Sequence, residues 1–66
     1  MHIQLNGEPY TLDADLTAAD LIAQLGLTGR RVAVEINEEI VPRSQLATTL
    51  LAEDDQVEVV HAIGGG

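Results

Sequence analysis

The sequence contains no cysteine, no lysine, no tryptophan and no phenylalanine. Without thiols the chain forms neither disulfides nor thiolate–zinc sites, and redox chemistry on its own thiols is excluded. Tyr10 is the sole aromatic residue, so the core must be aliphatic. The lack of lysine leaves three arginines against eleven carboxylates, a formal charge of −8. That balance argues against nucleic acid, whose phosphates require a basic face, and against anionic lipid surfaces. No apolar run approaches the ~20 residues of a membrane span. The opening MHIQLNGEPY has neither the basic n-region nor the apolar h-region of an export signal. The expectation is a soluble cytoplasmic protein.

What is present is globular. Apolar residues make up 45% of a 66-residue chain, enough for one domain near the lower limit of independent folding. HIQLN alternates like a half-buried strand, with Ile3 and Leu5 on one face. Asn6-Gly7 is a hairpin signal, because both residues tolerate positive φ. EPYTL returns with Pro9, which restricts this second strand to a sheet edge. LTAADLIAQLGL carries helix punctuation: Thr17 as N-cap, Asp20 closing a capping box, and Leu16 and Leu21 at staple positions. Ala18, Leu21, Ile22 and Leu25 form its buried stripe, and Gly26 with Leu27 suits a Schellman end.

After a turn at Thr28-Gly29, RVAVEIN alternates again with Val32, Val34 and Ile36 inward. NEE turns the chain, IVP is a short strand, and RSQLATTLL fits either a helix or a short 3₁₀ turn. AEDDQ is an acidic turn. VEVVHAI begins with Val57 and Val59 inward, then leaves apolar groups on both faces, as a central strand does. One helix covers one face of one small sheet. The last strand must then insert beside the first and parallel to it. The expected fold class is α+β: the β-grasp arrangement of ubiquitin, with four to five strands in a mixed sheet packed against one main helix.

That final strand passes into Gly64, Gly65 and Gly66. A frayed end would account for them. So would a handle: glycine lets backbone be gripped on all sides, and an acyl group activated by another enzyme must admit a nucleotide and then a nucleophile. Three extended residues span ~10 Å, enough to thread a narrow tunnel.

The stretch INEEIVPRSQLATTLLAEDDQVEVVHAIGGG, with the opening hairpin and the DLI..LGL helix, resembles the ThiS-type sulfur carriers of thiamine biosynthesis over the whole chain. The resemblance implies a β-grasp body over residues 1–63 and a flexible tail over 64–66. It further implies that Gly66 is the modified residue. An E1-like adenylating enzyme of the ThiF type activates its carboxylate, and sulfur drawn from cysteine by a desulfurase converts it to a thiocarboxylate. Thiazole synthase of the ThiG type then takes the sulfur. Gly64 and Gly65 correspond to the tail that enters partner active sites. The domain would be a carrier and co-substrate, not an enzyme, with no cofactor or metal. Two alternatives share the tail: a carrier resembling the small subunit of molybdopterin synthase, and a ubiquitin-like modifier joined to target lysines.

Other residues invite weaker readings. Val60 and Ala62, with His61 beside them, make either a partner-docking surface or a face covered by a loop. His2 and His61 on neighbouring strands evoke a metal pair, but two ligands without a third make a poor site, and ordinary surface imidazoles are the expected reading. Arg43 is expected to pair locally with Glu38 or Glu39, the competing role being a cation positioned for a partner. No nucleophile–base constellation or phosphate loop is evident.

Overall fold

A computed structural model describes residues 1–61. The chain runs β1 (His2–Leu5), β2 (Glu8–Thr11), α1 (Ala18–Gln24), β3 (Val32–Ile36), β4 (Glu39–Val41), a 3₁₀ segment (Arg43–Thr48) and β5 (Gln56–His61). The five strands form one sheet in the order β2-β1-β5-β3-β4. β5 lies parallel to β1 and antiparallel to β3, so the last strand is central, as its two apolar faces predict. This is the β-grasp architecture.

Local chemistry places each element. Asn6 and Gly7 take φ of 52° and 83°, and Leu5 pairs with Glu8 across this two-residue turn. That positive-φ pair matches the right-handed twist of the strands. Pro9 falls on edge strand β2, where a missing N–H is tolerated. The helix start is the reciprocal capping box read from the sequence. Asp20 N–H donates to Thr17 Oγ1 at 3.1 Å, and Thr17 N–H donates to Asp20 Oδ2 at 3.0 Å. The helix end is a Schellman motif. Leu27 N–H reaches back to the Ile22 carbonyl and Gly26 N–H to that of Ala23, both at 3.0 Å, with Gly26 at φ 73°. The stretch after β4 resolves as 3₁₀, because Thr48 and Thr49 hydroxyls both donate to the Gln45 carbonyl instead of extending a helix. One boundary differs from expectation. Asn37 and Glu38 alone make the second turn, at φ 52° and 71°, and Glu39 already belongs to β4.

The core lies between the helix and one sheet face. Ile3, Leu12, Leu21, Ile22, Val34, Leu51, Val57 and Val59 form it, with Leu16, Leu25 and Leu27 packed against them. The helix start is tied to the chain entering β5: Ala18 N–H donates to the Thr49 carbonyl and Leu51 N–H to that of Leu16.

Two asparagines hold β5. Backbone pairing with β1 places Gln4 N–H on the Asp55 carbonyl and Asn6 N–H on that of Val57, both at 2.9 Å. β1 then turns away at Gly7 while β5 continues. The Asn6 side chain takes its place: Val59 N–H donates to Oδ1 at 2.8 Å, and Nδ2 donates to the Val59 carbonyl at 3.3 Å. On the other flank Asn37 Oδ1 accepts from Gln56 N–H at 3.0 Å, and Asn37 N–H donates to the Gln56 carbonyl at 2.8 Å. Each asparagine thus combines a left-handed backbone with an amide that imitates a strand neighbour.

Asn6→Gly keeps the turn's backbone freedom and removes both side-chain bonds. It is expected to lower the unfolding free energy by about 2 kcal/mol in urea denaturation, the loss of partners for two strand groups. Asn6→Ala should fall by about 1 kcal/mol more, since alanine opposes the left-handed conformation. If Asn6→Gly stays within about 0.5 kcal/mol of the parent, the amide does not hold β5.

Candidate functional site

The end of β5 is where the sheet delivers the chain towards the glycines. Val59 pairs with Val34 and faces the helix; one residue on, Val60 pairs with Ala33 and faces the open side of the sheet. Val60 is 49% exposed, so among the described residues no loop covers it. Its neighbour His61 pairs with Val32, returns to the helix side and is exposed. Alternation therefore divides Val60 and His61 between the two faces. Ala62, Gly64, Gly65 and Gly66 lie outside the described residues, as does the expected boundary between residues 63 and 64.

The open face carries more than its sequence suggested. Ile40 pairs with Glu35, which in turn pairs with Glu58. An isoleucine 72% exposed thus shares a row with two directly opposed carboxylates. The signal lay in the register, which the one-dimensional pattern of β4 did not contain.

The histidine pair does not form. Parallel pairing sets Gln4 against Gln56, so His2 stands level with Asp54, seven residues from His61, roughly 23 Å along the strand. His2 engages Glu53 instead. His2 N–H donates to Oε1 at 3.0 Å, and Nδ1 lies 3.2 Å from Oε2. The backbone hydrogen bond from His2, with smaller help from its ring and the N-terminal charge, holds the Glu53 carboxyl below the usual glutamate range. Among the described residues, no group of three or more His, Cys, Asp or Glu side chains is placed to hold a metal ion.

The local pair expected for Arg43 is also absent. Among the described residues the ion pair formed is His2–Glu53. β4 is extended, so Glu39 and Arg43, four residues apart, are separated by about 13 Å of chain. Arg43 instead lines a groove beside α1, together with Arg30.

A mixed five-stranded sheet grasping one helix, with its last strand central and leading towards the C-terminus, defines a ubiquitin-like β-grasp protein. The chain belongs to the ThiS family, whose profile matches residues 3–66. It is 37% identical to the sulfur carrier protein ThiS of Bacillus subtilis (strain 168), over 97% of this chain and 98% of that protein. A ThiS crystal structure from Geobacter metallireducens superposes with a TM-score of 0.87 at 32% identity, covering 100% of both chains. A protein named thiazole synthase from Magnetococcus marinus is 48% identical over the full 66 residues. The chain spans only 20% of that protein's length, and the same share of a second thiazole synthase, from Paramagnetospirillum magneticum.

The His2–Glu53 contact has a defined pH signature. A carboxyl group held low in the folded state stabilises that state above its unfolded titration range, and the contribution disappears as pH falls through the lower folded value. Glu53→Gln should therefore melt below the parent at neutral pH, with the gap closing under acid. Parallel thermal melts from pH 7 downwards check this; a gap that persists unchanged below the carboxylate range contradicts the assignment.

Proposed function

We propose that this protein carries sulfur for thiazole formation in thiamine biosynthesis, as a thiocarboxylate on Gly66. Family membership that extends through Gly66 is the observation that carries the reading. The fold supports it physically: β5 is central, and the backbone hydrogen bonds and asparagine amides on both its flanks hold it up to Val59. A base fixed in this way lets a partner enzyme order only a few residues when it takes the chain's end, which limits the entropic cost of capture.

In this reading residues 1–63 are the body and Gly64, Gly65 and Gly66 the handle. An adenylating enzyme of the ThiF type joins the Gly66 carboxylate to AMP with loss of pyrophosphate. A desulfurase takes sulfur from cysteine as a persulfide, which attacks the acyl carbon and displaces AMP. A second thiol then supplies the two electrons that cleave the resulting acyl disulfide to the thiocarboxylate. A thiazole synthase of the ThiG type accepts the sulfur, and an oxygen from its substrate or from water restores the carboxylate. Every reacting group except the acyl carbon belongs to another protein, so the chain is a co-substrate working in the cytoplasm, where ATP and cysteine are supplied. Glycine suits each transfer because no side chain blocks the approach to that carbon. Val60 on the open face is the apolar contact offered to a partner, and His61 is offered from the helix side.

Incubation with the adenylating enzyme, ATP, a cysteine-fed desulfurase and a thiol reductant should raise the intact mass by the difference between sulfur and oxygen. Removal of Gly65 and Gly66, or addition of one residue after Gly66, should abolish that increase while leaving the thermal melt unchanged. Ladders of larger conjugates in place of the small increase would mark a protein modifier and overturn the carrier reading.

A further inference from the structure

The helix side of the sheet carries a groove of about 360 Å³. Ile22, Leu27, Val32 and Leu46 form its apolar floor, and Arg30 and Arg43 its rim. Two of the chain's three arginines thus border one apolar depression, and no carboxylate lines it. Neither guanidinium enters an ion pair among the described residues, although the chain has eleven carboxylates to offer. Charge here is concentrated against the background of a strongly acidic protein.

The position is as informative as the chemistry. Val32 on the floor pairs directly with His61, the last described residue of β5. The groove therefore opens where the chain leads out towards its glycines, and an enzyme gripping that end lies within reach of it. The Schellman turn fixes Leu27 and the 3₁₀ segment begins at Arg43, so backbone hydrogen bonds set both walls.

We propose that this groove docks a segment of thiazole synthase in which a carboxylate side chain stands next to a branched aliphatic one. The inference rests on the carrier reading above. The aliphatic side chain covers the floor, and Arg30 and Arg43 bind the carboxylate with planar, multiply donating heads that suit its geometry. An acidic partner surface is repelled elsewhere on a chain of charge −8, so the two arginines set the register of docking as well as its strength. The proteins named thiazole synthase that contain a segment resembling this whole chain favour that occupant, since in them the two parts share one polypeptide.

The test uses the full chain and purified thiazole synthase, with titration calorimetry at low and at physiological salt. Arg30→Glu/Arg43→Glu should bind at least about tenfold more weakly, the scale of one lost charge-assisted hydrogen bond, and with less dependence on salt. The neutral pair Arg30→Gln/Arg43→Gln should show a smaller loss in the same direction and covers the case in which charge reversal disturbs folding. Binding by both variants within about twofold of the parent overturns the proposal. So does weakened binding to the adenylating enzyme alone. Saturable occupation of the groove by decanoate, with synthase binding unaffected by either variant, would identify a small anionic amphiphile as the occupant instead. Sulfur loading at Gly66 of the parent protein, read by intact mass, tests the carrier reading separately, so failure of one is not mistaken for failure of the other.

Discussion

The structure depends on a strand that arrives last and is held on both sides. A parallel neighbour cannot be reached by a hairpin, so β5 joins β1 only after the helix, β3, β4 and the 3₁₀ segment have carried the chain across. Until then β1 and β3 have no neighbour between them, and the core lacks Val57 and Val59. Such pairing is paid for in loop-closure entropy before its contacts return anything. Asn6 and Asn37 answer that cost locally. Each already sits in a tight turn with positive φ, and each presents an amide to β5 where a strand neighbour is missing.

Much of this architecture was legible because its instructions are local. Thr17 and Asp20 are three residues apart, Gly26 and Leu27 adjoin the helix they end, and Asn6-Gly7 is a complete turn in two letters. The central place of β5 was readable for another reason: apolar groups on both faces suit a strand with neighbours on either side. What stayed hidden depends on register between distant segments. Asn6 lies 53 positions from Val59, and nothing near Asn6 in the sequence announces the contact. Among the described residues the expected Arg43 ion pair is absent for the same reason, as is the histidine pair, where ordinary surface imidazoles were the expectation. Both assumed proximity that the pairing of β1 with β5, and the extension of β4, do not supply.

The two faces of the sheet divide the surface into regions of different character. On the open side Glu35 faces Glu58 directly, an arrangement that costs roughly 0.2–1 kcal/mol between cross-strand neighbours. Exposed Ile40 and Val60 flank it, so this face is both apolar and negative. On the helix side the groove is apolar and positive. A protein of this size cannot enclose a deep cleft, yet it offers two surfaces of opposite charge meeting at the end of one strand.

A carrier must also let go. Binding tight enough to hold the loaded chain indefinitely would stop turnover, so affinity has to come from several weak contacts that act together. In the proposed reading, the tail taken by an active site and the groove bordered by arginines are two such contacts on one chain, and engaging either raises the effective concentration of the other. Neither needs to be strong alone. Exposed guanidiniums suit that arrangement because their attraction is modest in water and is weakened by salt. On that reading, losing the tail contact after sulfur transfer leaves only a weak electrostatic and apolar contact, from which the spent protein dissociates.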